Sequence, residues 1–456
     1  MNPSIFREYD VRGRVDRDLD DAGVTRLGRA LGAYYRRQGK SRIVVARDCR
    51  ESSPRWRDLL VAALARSGCQ VLDIGLNPSP VLYFGVRHLA ADGGVMVTAS
   101  HNPPEFNGFK ILNGHHTIFG AEIQELRRLA EAGASVAGEG TVQPAQAVGP
   151  YLEYLAGHFT ISRPLRVGLD AGHGAAGPVA LELLRRLGVE VWPLYCEPDG
   201  RFPAHPPDPV VEANLADLRD LVRRHGLDLG VAYDGDGDRL GVVGPGGEII
   251  WGDQLLILFA RDILARHPGA GIIGEVKCSR RFYEDVARHG GRPLMWKTGH
   301  SLIKQKMLEE GALLAGEMSG HLFFADRYFG FDDAIYATGR LLEILAREGR
   351  PLTALLEDLP AVVSTPEIRR DCPDDLKFQV VAHLKTRLAG RYPLVDLDGV
   401  RLEFPDGWGL VRASNTQPAL VLRFEARTAE RLEEIRRFLE GILEETMTAM
   451  GQGAAK

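Results

Sequence analysis

The chain has 456 residues, of which 45% are hydrophobic and 26% charged, and its formal charge is −5. At ~100 to 200 residues per domain this length exceeds one hydrophobic core and predicts three or four domains with a cleft between them. The charge balance, with no long basic run, excludes a general nucleic-acid-binding face. Five scattered cysteines (Cys49, Cys69, Cys196, Cys278, Cys372) contain no CxxC pair, which excludes a zinc or redox motif and reads as reduced thiols of a cytoplasmic protein. The N-terminal MNPSIFREYD has no apolar signal core. No uninterrupted apolar stretch approaches the ~20 residues of a membrane span, so no membrane partner is expected.

In chain order, RIVVARD, RWRDLLVAALARSGC, QVLDIG, SPVLYFGVRHLAADG and GGVMVTAS read as strand, helix, strand, helix, strand. Strands that are apolar throughout suit a parallel sheet covered on both faces. Residues 130–150 lose periodicity and fill with Gly, Ala and Pro, which places a boundary there. A second α/β unit runs from LRVGLDAG to LDLGVAYDGDGDRLGVV, and a third from QLLILFARDILARH to AIYATGRLLEILAREG. Beyond residue 365 the pattern becomes α+β and ends in the amphipathic ERLEEIRRFLEGILEETM. The expected division is 1–145, 146–246, 247–362 and 363–456. Polar loops recur after strands, where open α/β sheets bind ligands.

DGDGDR sets Asp234, Asp236 and Asp238 two apart, so that three carboxylates converge on one side of an extended loop. Such groups repel one another unless a cation is present, and an all-oxygen set implies a hard metal, Mg²⁺ rather than the Ca²⁺ of an EF-hand. GHGAAG (172–177), with Glu197 downstream, fits a dinucleotide fingerprint and keeps an oxidoreductase alternative open; the other reading is a tight strand-to-helix turn. GxxxxGK[ST], HExxH and GxSxG are all missing. GEMSGH aligns Glu317, Ser319 and His321, donors and acceptors suited to sugar hydroxyls, or forms an ordinary turn. RASNTQP groups Arg412, Ser414, Asn415 and Thr416 as a phosphate clamp would. Lys277, the KTGHS loop with His300, and Tyr9 and Arg12 of FREYDVRG gain weight only alongside the others.

Taken together, FREYDVRG, TASHNPPEFNGFK (98–110), DGDGDR, GEMSGH and RASNTQP resemble the α-D-phosphohexomutase family, in that family's order and across nearly the whole chain. KTGHS with GEMSGH most resembles the bacterial phosphomannomutase/phosphoglucomutase branch; the phosphoglucosamine branch carries glutamine where Met318 stands. The resemblance implies an α/β fold with three related domains of mixed, mostly parallel sheets and a smaller, mobile C-terminal α+β domain around a central cleft. It implies reversible phosphoryl transfer between O1 and O6 of a mannose or glucose phosphate, through a phosphoserine and a hexose 1,6-bisphosphate, with glucose 1,6-bisphosphate as activator. Carried over residue by residue, Ser100 is the phosphorylated serine and joins Asp234, Asp236 and Asp238 around Mg²⁺. Arg239 offsets charge on the transferring group, His101 and Asn102 sit close to it, and Lys110 moves a proton provided that burial or neighbouring cations lower its pKa. Lys277, His300, Glu317, Ser319 and His321 contact the sugar or its protons. Arg412, Ser414, Asn415 and Thr416 hold the phosphate that is not reacting, and Tyr9 and Arg12 stand at the cleft entrance. The expected partners are small hexose phosphates, with a monomer the plausible state. A metal-dependent sugar phosphatase, a phosphoglucosamine mutase and a silent sugar-phosphate binder are the competing readings.

Overall fold

The structure, a computed structural model, describes residues 2–415 and 417–451. Four sheets follow one another along the chain. In the first, the strands Gly93–Val97, Arg42–Arg47, Gln70–Leu76 and Thr141–Pro144 pair in parallel, and Phe106–Asn113 and Val11–Arg14 close one edge antiparallel. The apolar strands are covered on both faces because successive side chains point to opposite sides. Ile43 and Val45 enter one core with Val24, Trp56 and Leu126, whereas Val44 and Ala46 enter another with Val81 and Leu82.

The second sheet pairs Leu229–Tyr233, Arg166–Asp170 and Glu190–Leu194 in parallel and adds Leu240–Val243 and Ile249–Ile250 antiparallel. In the third, Arg292–Trp296, Gly271–Glu275 and Leu314–Gly316 run parallel and Leu322–Phe324 is antiparallel. The fourth sheet is antiparallel throughout, built on Gly407–Ala413 and Ala419–Ala426 with the helix Ala429–Ala449 against it. One apolar cluster runs continuously from Val44 through Leu169 to Tyr336 and so joins the first three units. The fourth keeps its own core and meets the third through an apolar cluster of Val276, Trp408 and Leu410 and through arginines: Arg401 donates to the carbonyls of Val276 and Cys278, and Arg280 to those of Phe404 and Gly407.

Two segments differ from the pattern reading. Residues 141–144, read as part of a structureless boundary, form an edge strand whose four residues are all exposed, so it has no apolar alternation to detect. FNGFK, read as loop, begins the buried strand Phe106–Asn113, which Val11–Arg14 of FREYDVRG flanks. Among the described residues no helix is long and apolar enough to cross a membrane.

Candidate active site

Ser100 follows the strand Gly93–Val97 by three residues and holds φ +50°, the left-handed region that costs a non-glycine residue ~1 kcal/mol or more and persists only when its surroundings enforce it. The enforcing group is Arg50, fully buried and paired with Asp48. Its guanidinium donates to the carbonyls of Ser100 at 2.7 Å, Asn102 at 2.6 Å, Pro103 at 2.7 Å and Phe106 at 2.9 Å. The Ser100 hydroxyl donates to Asp234 Oδ2 at 2.5 Å and lies 3.2 Å from His101 Nδ1. Arg12 donates to Asn102 at 2.5 Å and so ties the first strand to the same loop.

The DGDGDR loop leaves Leu229–Tyr233 and abuts the serine loop so closely that a Cβ on Gly235 would lie 2.4 Å from the Ser100 carbonyl oxygen. Behind it stands GHGAAG: Ala175 N donates to Gly235 O, and a Cβ on Gly174 would come within 2.8 Å of that oxygen. The glycines that imitate a dinucleotide fingerprint thus serve close packing of the aspartate loop. Asp234, Asp236 and Asp238 are fully buried, with ligand oxygens within 4.8 Å of one another. Among the described residues Asp236 Oδ1 and Asp238 Oδ1 are buried without a hydrogen-bond partner, so the residues fit a hard cation that would use them. Burial, then mutual repulsion, raises the Asp234 pKa well above the ordinary carboxylate range.

Lys110 donates to Asp236 Oδ2 at 2.6 Å and to Asp238 Oδ2. Burial pulls its pKa down, but Asp236 and Asp238, helped by Tyr83 and Asp234, outweigh burial and hold the ammonium well above its usual range. The lowering that a proton-accepting Lys110 requires is therefore reversed here. Arg239 Nε donates to His321 Nε2 at 3.0 Å. His321 Nδ1 lies 3.1 Å from Asp332, which Lys304 holds at 2.9 Å. Asp238, His321 and Asp332 also bring ligand atoms within 4.8 Å, yet Lys304 and Arg239 already bond this group, which makes it an ion-pair network. His300 stacks on His321 with ring centroids 5.6 Å apart, and burial, then Lys304, pushes its pKa well below the usual histidine value.

His101, Arg239, His300 and His321 open onto a cavity of about 450 Å³ lined from all four sheets' domains. Tyr9, His101, Arg239, Lys277, His300, Glu317, Ser319, His321, Arg412, Ser414 and Asn415 line it; Ser100, Lys110 and the three aspartates lie beneath its wall. Glu317 accepts from Gly299 N at 2.8 Å and from Ser319 at 2.9 Å, which fixes GEMSGH against KTGHS. Arg412 Nε donates to Asp398 at 2.9 Å, while among the described residues its buried Nη2 has no hydrogen-bond partner. Thr416 lies outside the described residues. Sequence reasoning missed Arg50, Asp48, Lys304, Asp332, Glu275, Glu367, Arg369 and Asp398. The one available signal was a charged residue just beyond an apolar strand, as in VVARDCR, or an aspartate pair before an apolar helix, as in DDAIYA. There Asp333 caps the helix Ala334–Glu348 and Asp332 turns to the cleft.

Four family models match in succession: "Phosphoglucomutase/phosphomannomutase, alpha/beta/alpha domain I" over residues 3–136, domain II over 149–247, domain III over 251–363 and the C-terminal domain over 367–441. The phosphomannomutase/phosphoglucomutase of Pseudomonas aeruginosa is 48% identical over 434 residues, spanning 95% of this chain and 94% of its own. The phosphoglucomutase of Neisseria gonorrhoeae is 44% identical over 445 residues, 96% of each chain. A crystal structure of a Burkholderia thailandensis phosphoglucomutase/phosphomannomutase family protein superposes with TM-score 0.91 at 43% identity over 98% of each chain. The Ser100 loop, DGDGDR, GEMSGH and RASNTQP thus fall in the four matched domains in turn, and the chain belongs to the phosphoglucomutase/phosphomannomutase family.

Proposed function

We propose that the protein interconverts the 1- and 6-phosphates of glucose and mannose through a phosphorylated Ser100 and a hexose 1,6-bisphosphate, with Mg²⁺ as its metal and glucose 1,6-bisphosphate as its activator, in the cytoplasm. The observation that carries this reading is Ser100 Oγ, 2.5 Å from Asp234, beside a cavity lined by its neighbour His101 and by Arg412, whose Nη2 has no partner among the described residues. One centre does chemistry and one remote group holds the idle phosphate, as a substrate that must be used in two orientations demands.

In the first transfer the bond from phosphorus to Ser100 Oγ breaks, a bond to the free sugar hydroxyl forms, and that hydroxyl's proton passes to a base. After the bisphosphate turns, the other phosphate returns to Ser100 by the reverse step. Asp234, Asp236 and Asp238 would hold Mg²⁺, which when bound neutralises charge on the transferring group. Lys110, kept protonated by its aspartates, balances charge and supplies a proton at the serine oxygen. The base offered to the sugar hydroxyl is His300, which lines the cavity and is kept neutral by burial; His321, whose Nε2 accepts from Arg239 and whose Nδ1 faces Asp332, stacks on it and positions it. Glu317 and Ser319 are placed for the sugar hydroxyls. Closure of the wall over this site favours transfer to sugar over transfer to water, which separates a mutase from a phosphatase. The test is turnover of glucose 1-phosphate and mannose 1-phosphate with catalytic glucose 1,6-bisphosphate, beside intact mass: the reading expects hexose 6-phosphate and one removable phosphoryl group. Steady release of inorganic phosphate would replace it with the phosphatase.

A further inference from the structure

Arg369 plays no part in the scheme above, yet it lines the cavity. It lies on the strand Ile368–Asp371 of the fourth domain, opposite Val421 of Ala419–Ala426, another cavity residue. Residues two apart on a strand share a face. Glu367 and Arg369 accordingly face the cleft, while Arg370 turns to the far side and pairs with Glu444 of the C-terminal helix at 2.5 Å.

Glu367 accepts from Arg369 Nε at 3.1 Å and from Lys277 Nζ at 3.0 Å, so one carboxylate ties a third-domain cation to a fourth-domain cation. Lys277 first, and Arg369 with it, bring the Glu367 pKa down to about 2, so the tether stays charged. Arg369 spends only Nε on this contact; among the described residues its two Nη groups donate to nothing. A guanidinium fixed at Nε with both Nη groups free presents a fork matched to phosphate oxygens. It lines the same cavity as His101, the neighbour of Ser100, and Arg412.

We propose that Arg369 is a substrate-contact residue of the fourth domain that grips a phosphate of the hexose bisphosphate and keeps this intermediate in the cleft while it turns end for end. During the turn neither phosphate is in its seat. A cation on a long stem, lining the cavity with His101 and Arg412, then supplies the attraction that opposes escape. This rests on the mutase reading.

The test compares the full chain with Arg369→Ala, Arg369→Gln, Arg369→Lys and the opposite-face control Arg370→Ala. Two quantities are read: the concentration of glucose 1,6-bisphosphate giving half-maximal turnover of glucose 1-phosphate, and the fraction of unphosphorylated protein by intact mass during turnover. Loss of one charge-assisted contact should raise the bisphosphate requirement about tenfold in Arg369→Ala and Arg369→Gln, with unphosphorylated protein accumulating. Arg369→Lys should fall between these and the parent chain, and Arg370→Ala should match the parent. Either charge-removing variant decides if the other does not fold. A requirement within about twofold of the parent overturns the proposal. A parent chain with no mutase turnover removes the mutase reading, and this proposal with it.

Discussion

The two ends of the cleft are built on opposite electrostatic plans. At the serine end Ser100, Lys110 and the three aspartates are all nearly or fully buried, and Lys110 and Ser100 already bond carboxylates of the loop. In the fourth domain Arg412 is equally buried, yet among the described residues its Nη2 has no partner and the two Nη groups of Arg369 donate to nothing. On the proposed reading, the groups at the reacting end are rigidly placed and lack only the cation that the aspartates would hold, so little reorganisation remains for the reaction. Where an anion only arrives and leaves, donors are left waiting for it. The difference extends to the scaffold: the serine end belongs to the shared apolar body of the first three units, the clamp to a fourth with its own core.

Four changes sharpen or break this contrast. Ser100→Ala should lower turnover by more than about 10³-fold while leaving affinity for hexose 6-phosphate nearly unchanged, since the clamp is untouched; stopped assays and calorimetry separate the two. Arg50→Ala removes a buried ion-pair partner and four carbonyl contacts. It should cost about 3 to 5 kcal/mol of stability in denaturant unfolding and free Ser100 from its left-handed backbone. Arg412→Ala should instead raise KM by about ten- to a hundredfold with a smaller change in kcat, the signature of lost binding shared by ground and transition states. Least of all, Arg7→Ala removes the half-exposed bridge to Asp374 that joins the first domain to the fourth at 3.2 Å. Less than about 1 kcal/mol is expected there, vanishing at high salt in a melting-temperature series. Equal losses of kcat from Ser100→Ala and Arg412→Ala would erase the distinction between the ends.

Much of this was readable because the chemistry sits in contiguous runs. Three aspartates two apart announce a cation without any knowledge of the fold, and the alternation of apolar runs with helical periods announced the α/β units. What stayed hidden were single charges whose meaning comes from distant neighbours. Arg50 reads as a surface arginine until the fold brings it under Ser100, and Asp332 reads as part of a helix cap until Lys304 and His321 close around it. Lys110 was singled out by its motif, but its proton affinity depends on two aspartates more than 120 residues away and runs opposite to the condition set for it. GHGAAG shows the converse: the motif was legible, and only the packing of Gly174 on Gly235 says what its glycines do.

The central claim is that Ser100 stores the phosphoryl group that the product carries away. Protein labelled with radioactive phosphate at Ser100 and mixed with one equivalent of unlabelled hexose 1-phosphate tests it in a single turnover. The account predicts that the label leaves Ser100 and appears in hexose bisphosphate and hexose 6-phosphate. Label retained on the protein while hexose 6-phosphate forms, or label released as inorganic phosphate, would contradict it.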